Sequence, residues 1–242
     1  MRLPRFLALS LLVIGTESGF TEPVLYQDNK KAVLYLTSRP PSLDGTYAGW
    51  KNLEGTAPKI FVFGEEHNKN DPSGVFVLQS DNKCLYILAD IIDSNANENS
   101  LPVASAWEND SVEVYLSTDL SPHQSYSRQD MHLRLVPRSR INPNLVGISI
   151  NDISVDNKPA VKGKCLYTAK GYRIEAQIPL RLLSIKRFSD GQAFRAEFQI
   201  NAANTGSREN LLHWSSSQDN SFYDASAWGS GTVRVLLRNQ HE

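Results

Sequence analysis

The residues best suited to chemistry in this sequence lie in the segment Trp-Glu-Asn-Asp-Ser-Val-Glu-Val-Tyr-Leu, residues 107–116. From Asp110 onward polar and apolar residues alternate, which is typical of a half-buried strand with Glu113 facing away from the core. The indole face of Trp107 could stack on the C–H face of a sugar ring, while a carboxylate accepts hydrogen bonds from sugar hydroxyls. Taken alone, the segment favours a structural interpretation, because large aromatic side chains are usually at least partly buried.

Other predicted strands also place polar, forked side chains on the side away from the core. Alternating patterns predict strands over residues 131–136, 172–178 and 194–201. The outward residues of these strands and of the Trp107 segment are Glu113, Arg134, Glu175, Gln177, Gln199 and Asn201. If the strands are neighbours in one sheet, these side chains form a polar platform that Trp107 and Phe222 or Tyr223 could flank. The alternative is an ordinary solvated face, which antiparallel sheets commonly have.

The remaining patterns are short and strand-like. They cover residues 31–36, 60–63, 75–78, 85–92, 146–150, 211–214 and 233–237, with 60–63 and 75–78 expected to pair and one helical turn expected over 179–183. No helical period lasts more than three turns, and roughly a dozen strands separated by turn residues predict an all-β, antiparallel two-sheet β-sandwich. Residues 20–242 are expected to form a single domain. Its predicted core includes Val112, Val114, Leu133, Ile174, Ala176, Phe198 and Ile200.

The balanced charge of the sequence argues against a nucleic-acid partner, and residues 1–19 indicate where the protein is located. The sequence holds 25 Lys and Arg against 26 Asp and Glu, so it lacks the basic excess that nucleic-acid binding requires. Residues 1–19 combine Arg2 and Arg5 with an apolar run and a small-residue tail. This pattern predicts a signal peptide cleaved after Ser18 or Gly19 rather than a membrane span. A soluble protein exported to the periplasm or the extracellular space is therefore expected.

The two cysteines leave two arrangements open. Cys84 and Cys165 each stand at the start of an apolar, strand-like run. In an exported chain they could form one disulfide, or each could be a buried free thiol.

Several motifs together carry a resemblance to a known family. In order they are Leu43-Asp44-Gly45 with Trp50, residues 85–90 with Asp93, Trp-Glu-Asn-Asp-Ser-Val-Glu over 107–113, Gly-Tyr-Arg-Ile-Glu-Ala-Gln-Ile-Pro over 171–179, Phe-Gln-Ile-Asn over 198–201, and Trp214 to Trp228-Gly229. With these motifs the chain resembles the family 9 carbohydrate-binding modules over about four-fifths of its length. The 107–113 and 171–179 motifs are fairly specific together, and either alone would be weak.

The resemblance implies non-catalytic binding of an oligo- or polysaccharide, with one sugar held between two aromatic faces. Matched position by position, Trp107 corresponds to the first aromatic, Glu113 to the carboxylate, Arg134 to the guanidinium and Gln199 to the amide. The second aromatic falls within residues 219–224, where Phe222 stands in place of the usual Trp and Tyr223 could substitute. Asn220 and Asp219 match a polar pair beside it, and Ala202 replaces an Asp that is usual in the family.

Calcium is the one cofactor that the resemblance suggests. The acidic loop over residues 90–98 offers oxygen ligands suited to this ion, although the sequence assigns none of them.

Three other functions compete with sugar binding. A glycoside-active enzyme would need one protonated carboxyl, but Glu113, Glu175 and Glu197 are expected on open strand faces beside Arg or Gln, which favours ionised groups. A haem site is disfavoured because Met131 and His132 point to opposite faces of their strand. The third alternative is an envelope or interaction domain that kept the fold and lost the sugar, and the Phe222 substitution leaves it open.

Overall fold

The computed structural model describes residues 24–26, 31–68, 71–204 and 206–236, so the signal-peptide prediction for residues 1–19 lies outside the described part. The first strands are β1 (Val24–Tyr26), β2 (Lys31–Leu36), β3 (Leu53–Gly55), β4 (Ile60–Phe63), β5 (Ser73–Ser80), β6 (Cys84–Ile92), β7 (Ser111–Ser117) and β8 (Asp130–Pro137). They are followed by β9 (Val146–Ile150), β10 (Ile153–Ser154), β11 (Lys162–Thr168), β12 (Gly171–Pro179), β13 (Ala193–Asn204), β14 (Ser207–His213) and β15 (Gly229–Val235). Short 3-10 helices span Val103–Glu108, Leu180–Leu183 and Ala225–Ala227.

The strands form one long curled sheet whose two halves face each other. Its order is β10-β9-β8-β7-β13-β15-β2-β5-β6-β12-β11, with β14 joined to β13 and β4 joined to β14, and β1 pairs separately with β3. We call the half from β10 to β13, with β14 and β4, the front sheet, and the half from β15 to β11 the back sheet. Phe76 of the back sheet and Phe198 of the front sheet have ring centroids 5.1 Å apart across the core. The architecture is therefore the predicted β-sandwich.

The core lies between the two sheets and confirms the alternation seen in the sequence. All seven predicted core residues, Val112, Val114, Leu133, Ile174, Ala176, Phe198 and Ile200, are buried. Burial of aliphatic and aromatic side chains from both sheets is the main favourable term for such a fold. The expected turn after Pro179 is the 3-10 helix Leu180–Leu183.

Two expectations about strand pairing are wrong. The sheet is mixed rather than purely antiparallel, because β2 runs parallel to both β15 and β5. A parallel pair needs a long crossover, and residues 37–72 supply one between β2 and β5. The strands over 60–63 and 75–78 do not pair with each other: β4 pairs with β14, and β5 pairs with β2 and β6.

The two cysteines are free thiols rather than a disulfide. Cys84 begins β6 and Cys165 lies buried in β11. Within the described ranges, no helix is long and apolar enough to cross a membrane.

Candidate functional site

The predicted polar face exists on the outer side of three neighbouring strands of the front sheet. β7 lies between β8 and β13, and the register sets Glu113 opposite both Arg134 and Gln199. The Nε atom of Arg134 donates a hydrogen bond of 3.0 Å to Oε1 of Glu113. These three side chains therefore share one face, as the alternating pattern predicts.

Glu113 is the centre of a closed hydrogen-bond cluster. Oε1 accepts from Arg134 and, at 3.0 Å, from Nδ2 of Asn201. Oε2 accepts from the hydroxyl of Tyr115 at 2.5 Å and from Nε2 of His132 at 2.6 Å. We call these residues, together with Gln199, the Glu113 cluster. All four strong acceptor positions of the carboxylate are used inside the protein.

The expectation of a solvated outer face is wrong for this cluster, because every member is buried, with Glu113 only 1% exposed. Burial would raise the pKa of Glu113, but the charges of His132 and Arg134 hold it well below its usual range. Glu113 is therefore an ionised carboxylate in a dry environment, balanced by hydrogen-bonded partners.

Aromatic side chains cover part of the cluster, which is why β7 is buried on both faces rather than half-buried as expected. The ring of Tyr115 stacks on His132 with centroids 4.6 Å apart, and Trp228 lies 5.5 Å from Tyr115. Tyr126 packs edge-on against Trp228. On the opposite face of β8, Met131 belongs to the core, so Met131 and His132 cannot bind one iron atom. Tyr115 and His132 are site residues that the alternation beside Glu113 and Arg134 could have revealed.

Trp107 lies at the edge of this cluster and is 38% exposed. It belongs to the 3-10 helix Val103–Glu108, and Nη1 of Arg134 donates to the carbonyl of Val103 at 2.8 Å. The same arginine thus holds Glu113 and the helix that carries Trp107. The structure therefore ties the helix that carries the first predicted aromatic to the predicted guanidinium, which in turn binds the predicted carboxylate.

Arg208 connects the cluster to Trp107, and no sequence pattern pointed to it. Its Cζ atom lies 4.9 Å from the centroid of the Trp107 ring. Its Nη1 donates to Oδ1 of Asn201 at 3.2 Å, and its Nη2 donates to Oδ2 of Asp219 at 2.9 Å. The pattern predicted a strand only from Leu211 onward, whereas β14 begins at Ser207.

A groove beside Trp107 has a volume of about 540 Å³. We call it the Trp107 groove, and it is lined by Val62, Phe63, Trp107, Glu108, Gly206, Ser207, Arg208 and Asp219. This volume lies in the range of small-molecule sites.

The predicted second aromatic lies in a loop outside the lining of this groove. Phe222 and Tyr223 are 52% and 53% exposed and pack edge-to-face, with centroids 4.8 Å apart. Asn220 is turned toward its own loop, since its Nδ2 donates to Oδ2 of Asp224 at 3.1 Å. Only Asp219, of residues 219–224, reaches the groove. Trp107 and the Phe222–Tyr223 pair are therefore two separate exposed aromatic features.

Glu197 holds the segment that leads into this loop. Its carboxylate accepts hydrogen bonds of 2.6–3.0 Å from the backbone N–H groups of Phe198, Trp214, Ser215 and Ser216. Burial raises its pKa to about 7, and the four N–H donors oppose that rise. Glu197 is therefore buried and bound to backbone N–H groups, so the expectation that it lies on an open strand face is wrong.

Glu175 does not belong to the platform, because it lies on β12 of the back sheet. Its carboxylate accepts from the backbone N–H of Gly45 at 2.7 Å and from Nε1 of Trp50 at 2.9 Å. Gln177 lies on the same strand. The expectation that these two residues could extend the platform is wrong, since alternation gives the side of a strand but not its sheet.

His213 is a buried imidazole beside the cluster. It pairs in register with Gln199, and neither of its ring nitrogens has a hydrogen-bond partner among the described residues. Burial lowers its pKa to about 4, so the ring is neutral at neutral pH and offers one donor and one acceptor. It was not selected from the sequence, where a histidine without metal-ligand spacing gave no signal.

The acidic loop gives limited support for calcium. Over the described ranges, no group of three or more His, Cys, Asp and Glu side chains could hold a metal ion. Oδ2 of Asp93 and Oδ1 of Asn210 are buried without a partner, and both residues line a cavity of about 10 Å³. This is room for about one water-sized occupant, and two side-chain oxygens are far fewer than the six to eight that calcium takes.

Comparison with known proteins assigns this chain to a family. The model of the "Carbohydrate family 9 binding domain-like" family matches residues 43–235. Endo-1,4-beta-xylanase A of Thermoanaerobacterium saccharolyticum is 28% identical over 192 residues, which is 78% of this chain and 15% of the xylanase. Endo-1,4-beta-xylanase C of Paenibacillus barcinonensis is 30% identical over 191 residues, 78% of this chain and 16% of that enzyme. The chain thus spans about one-sixth of these relatives.

A solved structure agrees with this assignment. A carbohydrate binding module family 9 from Caldicellulosiruptor kristjanssonii, in complex with cellotriose, superposes with a TM-score of 0.64 at 25% identity, covering 87% of this chain and 97% of the other. The matched region contains the Glu113 cluster, Trp107 and the Phe222–Tyr223 loop. The chain belongs to the family 9 carbohydrate-binding domains.

Proposed function

We propose that this protein binds an oligo- or polysaccharide without transforming it, at the edge of the front sheet where Trp107 meets the Glu113 cluster. The observation that supports this most is the half-exposed indole, whose supporting helix is hydrogen-bonded to the same arginine that binds Glu113. An exposed aromatic face next to a fixed array of polar groups matches the two needs of a sugar, stacking of C–H groups and pairing of hydroxyls. The neighbour bound to cellotriose has the same fold.

The proposal divides the predicted residues into two roles. Trp107 would meet the ring directly, with Asn220 and either Phe222 or Tyr223 on the other side after a shift of their loop. Glu113, Arg134 and Gln199 are buried, and Glu113 already accepts four hydrogen bonds. A sugar hydroxyl could reach Glu113 only by replacing one of those donors. We propose that Asn201 gives way, because Arg208 links it to the Trp107 ring.

Binding without catalysis is supported by the state of the three candidate carboxylates. Glycoside hydrolysis uses two carboxyl groups on either side of one bond, one of them able to give a proton. Glu113 is held ionised, Glu175 lies on the back sheet under Trp50, and Glu197 is occupied by backbone N–H groups. None of the three is available to a sugar as a proton donor.

Calorimetric titration of the purified mature protein tests this proposal. Glucose, cellotriose and a xylo-oligosaccharide are the first probes, followed by a glycan array for wider coverage. We expect binding of at least one probe with no release of reducing ends. Absence of binding to every glycan would contradict the proposal, and time-dependent cleavage would contradict its non-catalytic part.

A domain that kept the fold without binding sugar is the second candidate, and one contact favours it. The guanidinium of Arg208 lies over the Trp107 ring, where a sugar would otherwise stack. If this contact is permanent, the wild-type protein should bind no glycan while the variant Arg208→Ala, which frees the ring, should gain binding. The same titrations, run on both proteins, separate the two candidates.

We also propose export and, as a structural ion, calcium. Export rests on the charged, apolar and small-residue pattern of residues 1–19, and intact Met1 found by mass spectrometry on native protein would contradict it. Calcium rests on the resemblance to the family and on the unpartnered Oδ2 of Asp93 in the acidic loop, and most of its ligands would have to be backbone oxygens or water. A melting temperature that is unchanged between EDTA and millimolar calcium would contradict that proposal.

A further inference from the structure

Phe63 is the least expected residue of the Trp107 groove. It ends β4, which pairs with β14 alone among the described strands, and it is 52% exposed. A large aromatic side chain at the edge of a sheet is not needed for the core. The groove is therefore bounded by two exposed aromatic residues, Phe63 and Trp107, rather than by one.

A β-bulge explains why Phe63 points into the groove. Leu211 pairs with Phe63 and Leu212 with Phe61, so Val62 is an extra residue in β4. In a regular strand Phe61 and Phe63 would share a face, but Phe61 packs against the core while Phe63 is exposed. Bulges often re-aim a side chain next to a binding site.

The polar lining of the groove suits hydroxyl groups and disfavours anions. Arg208 and Asp219 form an ion pair at 2.9 Å, and Glu108 adds a second carboxylate. These three charges leave one net negative charge, so an acidic sugar would be repelled. The guanidinium supplies donors and the carboxylates supply acceptors, which together can serve vicinal hydroxyls.

We infer that the Trp107 groove is a second sugar subsite, in which Phe63 is the stacking face for an additional ring of a neutral oligosaccharide. This rests on the proposed function, because the first ring must bind where Trp107 meets the Glu113 cluster. Of the residues matched to the family, Trp107 and Asp219 line the groove, whereas Glu113, Arg134 and Gln199 do not. The groove therefore extends the site away from the Glu113 cluster and makes binding depend on the length of the sugar chain.

Titration of wild type and Phe63→Ala with glucose and with cellotriose tests the inference. Because one aromatic face contributes about a five- to tenfold change in affinity, Phe63→Ala should weaken cellotriose binding by that factor. Glucose affinity should stay within about twofold, since one ring does not reach Phe63. Leu120→Ala, which removes another large exposed side chain, is the matched control and should change neither affinity.

The outcomes separate this inference from the proposed function. If Phe63→Ala leaves cellotriose affinity unchanged, or weakens glucose equally, the second subsite is wrong while sugar binding stands. If wild type binds neither sugar, nor any glycan of an array, both fail together. Thermal melts of each variant guard against a folding defect, which the exposure of Phe63 makes unexpected.

Discussion

The two outer faces of the sandwich each carry a buried glutamate near a tryptophan, and they use the pair differently. On the back sheet Glu175 accepts from the indole N–H of Trp50, which is completely buried. On the front sheet Glu113 accepts from four other side chains, and Trp107 remains half-exposed beside them. Glu175 and Trp50 hold a loop against the back sheet. Beside Glu113, the ring of Trp107 instead remains accessible at the surface.

The pKa values of the two glutamates are shifted in opposite directions. Burial raises the pKa of Glu175, and the hydrogen bonds from Gly45 and Trp50 oppose that rise only in part. The neighbouring His132 and Arg134 lower the pKa of Glu113 despite its burial. We propose that the charged carboxylate of Glu113 and its donors serve sugar binding, whereas Glu175 fastens Gly45 and Trp50 to the back sheet by hydrogen bonds.

The largest effect is expected from Trp50→Ala on the back face. Removing a completely buried indole leaves a cavity, so the free energy of unfolding should fall by about 3–5 kcal/mol, as for other buried tryptophans. Urea denaturation measures this, and sugar affinity under folding conditions should be unchanged. A loss below about 1 kcal/mol would show that Trp50 is not a core residue of this face.

The sequence predicts strands better than it predicts which face is functional. Alternation located β8, β12 and β13, because inward and outward positions on a strand follow a period of two. It could not separate Glu113 from Glu175, since the loop that covers Glu175 comes from residues more than a hundred positions away.

Long-range pairing also hid part of the candidate site. Arg208 and Phe63 depend on the pairing of β4 with β14 and on a bulge, and neither has a local signal. The family motifs identified Trp107, Glu113, Arg134 and Gln199, but not that three of them are buried.

The next largest effect is expected in the pH dependence of stability, where Glu113→Gln and Glu175→Gln should behave differently. Glu113→Gln removes one partner of a buried ion pair and should cost about 3–5 kcal/mol at neutral pH. The pKa of Glu113 is lowered from its usual 4.5, so its stabilisation is present above that pH and is lost as the pH falls below it. The pKa of Glu175 is raised, so wild type should lose stability relative to Glu175→Gln as the pH rises above 4.5.

Denaturation of wild type and both variants between about pH 3 and about pH 8 measures the slope of the free energy of unfolding against pH for each protein. Differences between proteins are needed, because burial also raises the pKa of Glu197 and of Asp110 to about 7. Equal slopes for the two variants would contradict the distinction between the faces.

A smaller effect is expected in the loop of the second aromatic. The double variant Phe222→Ala/Tyr223→Ala should weaken sugar binding by about fivefold, because one stacking face is lost. Stability should change by less than about 0.5 kcal/mol, since both rings are half-exposed. The single variants, titrated with glucose, then identify which ring contributes. An unchanged double variant would leave Trp107 as the sole aromatic contact in this part of the site.

The most direct test of the central claim is Trp107→Ala, measured by calorimetric titration and by thermal melting. We expect binding to weaken roughly 10- to 100-fold, because one aromatic platform is worth ~1–3 kcal/mol and every 1.4 kcal/mol is tenfold. The melting temperature should barely change, since Trp107 lies half-exposed on the rim rather than in the core. A loss of about 3–5 kcal/mol in stability, as for a core tryptophan, would contradict the claim, and so would unchanged affinity.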